Sequence, residues 1–305
     1  MPPKTTIALI YDFDKTLCTR DMQEYGFIPN IGVKAKDFWE SSAKLTAELG
    51  MDSILAYMYT MVRSAQAARK AIRRENFVAL GESIEFFPGV LDWFARMNAF
   101  AKEQNVTLEH YIISSGLSEI IEGSAIYREF KKVFACEFHY DENGVADWPL
   151  MAVNYTTKTQ FLFRINKGVL DPSDNTTLNQ YVEEDQRAIP FRNMIYFGDG
   201  LTDVPCMKLV RVHGGKSIAV FPKGVRREGK AKVENLLLEK RVDFIECANY
   251  QEGSALEKLV QEIIVQMALT DRLIKRHSKQ YDEISSGGRA SRRPRPARPQ
   301  QPRSG

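Results

Sequence analysis

Residues 7–17 combine an apolar run with two acidic side chains that could hold a cation. Asp12 and Asp14 stand two residues apart, directly after the run Ile-Ala-Leu-Ile-Tyr. Adjacent carboxylates repel each other unless a cation or a shared proton relieves the repulsion. Oxygen ligands suit a hard ion such as Mg²⁺, beside which one carboxylate can stay ionised as a nucleophile while its neighbour carries a proton. The alternative interpretation is a strand-to-helix turn with two solvated acids.

Two later stretches favour the cation-binding interpretation. Residues 194–203 form a second apolar run, and it leads into Asp199 and Asp203. Residues 111–116 form a third, which ends in hydroxyl groups beginning with that of Ser114. In an open α/β sheet the ligand crevice lies at the carboxyl ends of the strands. We therefore expect the three polar ends to meet there, where they would suit a metal ion and a phosphate group.

Together these motifs resemble those of the haloacid dehalogenase-like superfamily, in its phosphoserine-phosphatase-like branch. Residues 12–16 are similar to the first motif of the superfamily, Ser114 to the second and residues 198–203 to the fourth. The third motif is a lysine that opens a helix, and Lys158 is its best match. Three other lysines are rival candidates: Lys131, Lys132 and Lys167.

The resemblance implies a role for each of these residues. Asp12 would attack phosphorus as the nucleophile, and Asp14 would protonate the leaving alcohol and then activate water. Ser114 and Lys158 would bind the phosphoryl oxygens. Asp12 and Asp199 would hold Mg²⁺ directly, and Asp14 would hold it through its backbone carbonyl. Asp203 would support the ion through water or through Lys158. The implied metal ligands are Asp12, Asp14, Asp199 and Asp203.

Asp14 distinguishes between branches of the superfamily. The dehalogenases lack an acid at this position, because a halide leaves without a proton. P-type ATPases share an Asp-Lys-Thr sequence but need membrane helices, and no apolar run here approaches the length of about 20 residues that spans a bilayer. The resemblance therefore favours a phosphatase.

Asp21 is the candidate for selecting the substrate. Members of the phosphoserine-phosphatase-like branch carry a glutamate near this position that recognises the substrate amine, and aspartate is one methylene shorter. Arg63 is the one guess for a partner of the substrate carboxylate. Ser115 stands where the branch has a glycine. These departures disfavour phosphoserine and favour another small phosphorylated metabolite.

The pattern of apolar residues predicts an α/β fold with a Rossmann-like parallel sheet. The core is expected over residues 1–17 and 86–283. An inserted helical cap is expected over 18–85, where apolar residues from Ile54 to Ala65 recur at helical spacing. Residues 284–305, rich in arginine and proline, are expected to be a disordered tail.

Two shorter segments within the core have their own patterns. Residues 133–150 predict a β-hairpin, because apolar residues alternate up to an Asn-Gly turn. Residues 168–192 are polar and turn-rich, which predicts an irregular insertion with Tyr181 and Val182 as its apolar anchors.

Composition restricts the class of protein. Of the 305 residues, 44% are hydrophobic and 27% charged, as in ordinary globular proteins. Four scattered cysteines form no disulfide framework, which predicts a cytoplasmic location. The net charge of +3 includes six arginines within residues 286–305, so the rest of the chain is net acidic and gives no sign of a nucleic-acid-binding surface.

The sequence therefore predicts a Mg²⁺-dependent phosphatase that hydrolyses a small phosphomonoester through an aspartyl-phosphate. One alternative is a catalytically silent binding or regulatory protein with the same fold. Another is a scaffold whose basic tail binds nucleic acid. The sequence does not determine the substrate or the oligomeric state.

Overall fold

A seven-stranded sheet forms the centre of the protein, in a computed structural model that describes residues 4–224 and 227–290. The strands are β1 (Thr5–Tyr11), β2 (Val106–Leu117), β3 (Lys132–Tyr140), β4 (Ala146–Met151), β5 (Met194–Gly198), β6 (Lys216–Phe221) and β7 (Phe244–Cys247). Their order across the sheet is β4-β3-β2-β1-β5-β6-β7. All neighbours are parallel except β3 and β4. This arrangement confirms the predicted α/β class.

Helices connect and cover these strands. In the described residues they are α1 (Phe27–Asn30), α2 (Ala35–Leu49), α3 (Ser53–Ala67), α4 (Arg74–Leu80), α5 (Val90–Glu103), α6 (Ser118–Glu122), α7 (Thr157–Lys167), α8 (Asn175–Asn179), α9 (Val204–Val212), α10 (Arg227–Leu238) and α11 (Ala255–Ala290). Helix α5 packs with α11, and α7 packs with α9. Within the described parts of the chain, no helix is long and apolar enough to cross a membrane.

Strand β1 occupies the middle of the sheet because almost all of its side chains are apolar and buried. Residues 7–11 have no exposed surface, as expected of a strand covered on both faces. Tyr11, its last residue, is level with Ile112 of β2 and with Phe197 of β5. The polar residues that follow these three positions therefore emerge side by side at one edge of the sheet.

The segment predicted as a cap is helical and interrupts the chain between β1 and α5. Its entry and exit run side by side, because the Thr19 N–H donates to the Glu85 carbonyl at 3.0 Å and the Phe87 N–H donates to the Leu17 carbonyl at 3.0 Å. The apolar stripe of α3 is buried as predicted, except that Leu55 is 38% exposed. The chain therefore leaves and re-enters the region of the sheet at neighbouring positions.

The hairpin of β3 and β4 turns at the predicted Asn-Gly pair. The Asp141 N–H donates to the Val145 carbonyl at 2.9 Å, and Gly144 takes a φ of +70°, which glycine adopts without strain. The tip of this hairpin meets the cap segment through a bridge between Val145 and Arg73. The hairpin therefore links the sheet to the cap segment.

Residues 168–192 are irregular, as expected, but they are anchored differently. Tyr181 is 82% exposed, so the prediction that it anchors the insertion is wrong. The anchor is instead a buried cation on α7, Arg164. Its guanidinium donates hydrogen bonds of 2.7–3.1 Å to four oxygens of one turn, which are the carbonyls of Asp171, Pro172 and Asp174 and Oδ1 of Asn175. A turn rich in carbonyl acceptors can be held by one planar donor group without apolar side chains.

Helix α11 continues further than the sequence pattern indicated. It runs to Ala290 and so includes the beginning of the segment that was predicted as a tail from residue 284. Ile274, Tyr281 and Ile284 continue the helical spacing of apolar residues from Met267, so the apolar pattern itself reaches residue 284. The remainder of the predicted tail, residues 291–305, lies outside the described residues.

Replacing Arg164 with methionine should destabilise the protein by about 2–4 kcal/mol, because four oxygens of the turn lose a charged donor at once. Urea unfolding of Arg164→Met against the unmodified protein measures this loss. Arg63→Met, on an exposed position of α3, is the matched control and should change the free energy of unfolding by less than about 0.5 kcal/mol. A loss under about 1 kcal/mol in Arg164→Met would show that the insertion holds itself together.

Candidate active site

Three carboxylates meet at the carboxyl edge of the sheet. Asp12 follows β1, Asp199 follows β5, and Asp203 precedes α9. One oxygen of each lies within 4.8 Å of the corresponding oxygens of the other two. The strand register produces this arrangement, because Asp12 comes level with the glycine before Asp199. The three acids are thus brought together from two distant parts of the chain.

Lys158 lies between two of these acids. Its Nζ donates to Oδ1 of Asp12 at 2.8 Å and to Oδ1 of Asp203 at 2.7 Å, and its side chain is almost completely buried. It is the second residue of α7, as the sequence predicted for a lysine that opens a helix. A buried ammonium needs such partners, because burial alone disfavours its charged form.

The rival lysines lie elsewhere. Lys131 forms an ion pair with Glu109 at 2.5 Å, and Lys132 begins strand β3. Lys167 donates to two carbonyls of the insertion that follows α7. Of the four candidates, Lys158 is the one whose Nζ reaches the acids of the first and fourth motifs.

One carboxylate oxygen of Asp203 is hydrogen-bonded, and the other has no hydrogen-bond partner among the described residues. Its Oδ1 also accepts a hydrogen bond from the Tyr196 hydroxyl at 2.8 Å. Its Oδ2 is buried without a hydrogen-bond partner. Gly198 permits the close approach of this carboxylate, since a β-carbon at that position would lie 2.5 Å from Cγ of Asp203. An orphaned buried carboxylate oxygen is costly, and a cation nearby would satisfy it.

Burial and the repulsion from neighbouring carboxylates raise the pKa values of Asp12 and Asp199. The pKa of Asp12 rises to about 7 because of burial and of the neighbouring Asp203, although Lys158 opposes the rise. The pKa of Asp199 rises to about 8 because of burial and of its acidic neighbours. Burial lowers the pKa of Lys158, but Asp12 and Asp203 outweigh it and hold that pKa above its usual value. One ammonium does not neutralise three carboxylates.

The first-motif loop turns Asp14 towards the cap segment. Lys15 adopts a left-handed φ of +57°, which lets the chain reverse just after Asp14. Oδ1 of Asp14 accepts a hydrogen bond from the Met22 N–H at 2.9 Å. Burial, Asp21 and Asp12 raise the pKa of Asp14 well above its ordinary range. Asp14 therefore differs from Asp12, because no lysine of the described chain donates a hydrogen bond to its carboxylate.

Ser114 is buried beside the carboxylates and lines the same cavity. Its Oγ accepts a hydrogen bond from the Gly116 N–H at 3.0 Å, which leaves its own hydroxyl proton to donate. Ser114 does not cap a helix, because β2 continues to Leu117 and α6 begins only at Ser118. The Ser114 hydroxyl therefore forms its hydrogen bond near the end of β2 and not at a helix terminus.

A cavity of about 620 Å³ opens over the carboxylates. Its floor comprises Asp12, Asp14, Asp199, Lys158 and Ser114, and its far wall comes from the cap segment. Asp21 lies in this wall, whereas Arg63 is exposed and outside it. The wall also contains the polar residues Gln23, Ser42, Thr46 and Ser53 and the aromatic residues Trp39 and Tyr57, none of which the sequence pattern marks as part of a site. No motif marks these residues, because helical spacing does not say which face covers a cavity.

The residues present suit a Mg²⁺ ion. The cluster offers oxygen ligands alone, which is the donor set that Mg²⁺ prefers. The raised pKa values and the unpaired Oδ2 of Asp203 both indicate a deficit of positive charge. The Asp14 carboxylate is outside the cluster, in keeping with an implied role for its backbone carbonyl.

Comparison with known proteins identifies the family. A family profile described as haloacid dehalogenase-like hydrolase matches residues 9–208. The chain belongs to this family. An uncharacterized protein of Borreliella burgdorferi is 30% identical over 289 residues, which cover 85% of this chain and 96% of that protein. The match spans both the sheet core and the cap segment.

Solved structures of this family share the fold. A haloacid dehalogenase family hydrolase from Salmonella enterica serovar Typhi has a TM-score of 0.53 and 17% identity, covering 86% of this chain and 73% of that one. A substrate-bound phosphoserine phosphatase has a TM-score of 0.53 and 14% identity, covering 85% of this chain and 99% of that one. The phosphoserine-phosphatase-like resemblance predicted from the sequence is thereby confirmed at the level of fold.

Mg²⁺ should stabilise the protein more at pH 8 than at pH 5.5. Between these pH values, Asp12 and Asp199 keep protons in the metal-free folded state that they have already released in the unfolded chain. The free energy of unfolding of the metal-free protein therefore falls as pH rises. Thermal unfolding in EDTA and in Mg²⁺ at both pH values measures the effect. The matched variant Asp199→Asn should show a smaller pH dependence of Tm in EDTA. An equal Mg²⁺-induced rise in Tm at both pH values would contradict this account.

Proposed function

We propose that this protein is a Mg²⁺-dependent phosphatase that hydrolyses a small phosphomonoester through an aspartyl-phosphate on Asp12. The observation that supports this most strongly is the cluster of Asp12, Lys158, Asp199 and Asp203 beneath a cavity that the first three of these residues line. This geometry suits a nucleophile held beside a cation-binding cluster. Phosphate esters are very slow to hydrolyse in water, and a covalent intermediate divides that barrier between two steps.

Asp12 suits the nucleophile's role. Its Oδ1 is oriented by Lys158, and its backbone N–H donates to the Phe197 carbonyl at 2.9 Å, which fixes the residue to the sheet. Rigid placement of the attacking oxygen removes much of the entropic cost of reaching phosphorus. In this proposal Asp12 forms a bond to phosphorus as the bond to the leaving oxygen breaks.

Asp14 suits the role of the acid that gives this leaving oxygen its proton. Its raised pKa favours the protonated form of the carboxyl group, which is the form that a general acid needs. Its side chain lies on the cap side of the loop, towards the space that a leaving alcohol would occupy. Once the alcohol has gone, the ionised Asp14 can take a proton from the water that attacks the phosphoenzyme.

The phosphoryl oxygens would be held by the Ser114 hydroxyl and by the Lys158 ammonium. Asp12, Asp199, Asp203 and the Asp14 carbonyl would hold Mg²⁺, which when bound supplies positive charge to the phosphoryl group. Tyr196 keeps Asp203 in place by its hydrogen bond. These groups act on charge that grows during the reaction, where fixed donors contribute most.

Residues 18–85 would form the cap of this enzyme and residues 1–17 and 86–283 its core. The paired connection at residues 17–19 and 85–87 suits a hinge, because only these two segments join the units in sequence. Asp21 lies in the cavity wall and would contact the leaving group rather than phosphorus. Likeness to phosphoserine phosphatase structures supports the reaction class, and the substrate itself is a separate question.

The variants Asp12→Asn and Asp14→Asn should fail in different ways. Asp12→Asn should abolish turnover of every ester, because no covalent intermediate can form. Asp14→Asn should slow the burst of an alkyl ester by about 10²–10⁴-fold more than that of p-nitrophenyl phosphate, whose leaving group hardly needs a proton. Single-turnover bursts in Mg²⁺ measure phosphoryl transfer apart from the water step. Equal burst defects with both esters would show that Asp14 serves geometry instead of proton transfer.

A further inference from the structure

The substrate-selecting wall of the cavity contains an internal ion pair. Nζ of Lys15 lies 2.5 Å from Oδ2 of Asp21, and both residues line the cavity. Lys15 reaches Asp21 because its left-handed backbone turns the side chain back across the loop. An ammonium tethered six residues away acts at about millimolar effective concentration. It therefore competes for Asp21 with any ammonium that a substrate could bring.

The rest of the wall is electrically neutral. Among the described residues that line the cavity, the charged ones outside the catalytic floor are Lys15 and Asp21, which neutralise each other. No arginine of the described chain lies in the wall, and Arg63 instead donates to Gln66 on the surface of α3. Within the described part of this wall, a leaving group that carried a carboxylate would be desolvated without an unpaired cation to receive it, which is costly.

Unpaired polar atoms mark the same wall. Gln23 is only 2% exposed, and its Oε1 has no hydrogen-bond partner. The hydroxyls of Thr46 and Ser115 are likewise buried without partners. Three of the buried unpaired groups of the described chain thus lie around one cavity. Such atoms are costly when left alone, and they are satisfied by a ligand that both donates and accepts hydrogen bonds.

Two aromatic rings complete the wall with apolar surface. Nε1 of Trp39 donates to Oε1 of Glu24 at 2.8 Å, and the Tyr57 hydroxyl donates to the Ser115 carbonyl at 2.7 Å. Because their polar atoms are already paired, the rings offer the cavity mainly their carbon surfaces. A carbon skeleton that bears hydroxyl groups would match both the rings and the unpaired acceptors and donors.

We infer that the alcohol released by this enzyme is uncharged and bears several hydroxyl groups, as in a polyol or a sugar, and that Gln23 selects it. This inference rests on the proposed phosphatase function and adds the substrate class to it. The amide of Gln23 would accept a hydrogen bond from one hydroxyl of the alcohol, and Thr46 and Ser115 would bind others. Charged alcohols such as serine would find the Asp21 carboxylate already occupied by Lys15.

Paired substrates of similar size test the inference in Mg²⁺, with release of inorganic phosphate as the readout. We expect kcat/KM for glycerol 3-phosphate or a hexose 6-phosphate to exceed that for O-phosphoserine by at least about 100-fold, because the zwitterion brings two charges that the wall leaves unpaired. A higher value for O-phosphoserine overturns the inference while the phosphatase function stands. Absence of turnover on all of these esters and on p-nitrophenyl phosphate overturns the proposed function itself.

Two variants test the residues. Gln23→Leu keeps the size of the side chain but loses the amide, so kcat/KM for the preferred polyol ester should fall about tenfold more than for p-nitrophenyl phosphate. Arg63→Gln is the matched control outside the wall and should leave the ratio of the two esters unchanged. Equal losses on both esters in Gln23→Leu would assign the residue a structural role and overturn its selective one.

A third variant tests the ion pair. Lys15→Met frees Asp21, so kcat/KM for phosphoethanolamine, whose leaving group carries an ammonium, should rise at least about fivefold relative to that for glycerol 3-phosphate. The expected change is a gain for one substrate, which a merely damaged protein cannot produce. A constant ratio would show that Lys15 does not block Asp21.

Discussion

The rest of the structure depends on three carboxylates that are crowded into a buried corner of the sheet with one lysine. Like charges at this spacing oppose folding unless protons, an ammonium or a metal ion compensate them. Lys158 provides part of this compensation by bonding to Asp12 and Asp203. The remaining excess of negative charge is a property of the folded chain, and it is also what makes the site suited to a dication.

The fold supplies the rigidity that this crowding requires. Asp12 is held by a central strand whose neighbours are parallel on both sides, and Asp203 is held by the start of α9 and by Tyr196. The absence of a side chain at Gly198 lets the Asp203 carboxylate approach the sheet. The mutually repelling carboxylates therefore lie on the most buried elements, where side chains have the least freedom to move apart.

Chemistry and recognition are divided between two parts of the chain. The sheet core contributes acids and a lysine that suit any phosphate ester, and their geometry does not depend on the alcohol. The cap segment contributes Gln23, Thr46 and two aromatic rings to the cavity wall, and in the proposed mechanism they would contact the leaving group. In that mechanism these residues would not touch phosphorus, so they could differ from those of the phosphoserine phosphatases without disturbing the acids beneath. A shared fold at 14% identity is compatible with a different substrate for this reason.

Asp12, Asp199 and Ser114 are predictable from the sequence alone because Asp12 and Asp199 directly follow strands and Ser114 lies near the end of β2. An apolar run that ends in a carboxylate identifies both the strand and the polar group at its end, and parallel strands bring such ends to one edge. The α/β class and the helical insertion follow from the same local patterns. The choice of Lys158 over its rivals rests on a contact between residues 146 positions apart, which only the tertiary structure establishes. The exposure of Leu55 and Tyr181, the anchoring by Arg164 and the pairing of Lys15 with Asp21 were likewise decided by folding. Periodicity shows that a helix has an apolar face, but which residues cover a cavity depends on how distant segments pack against one another.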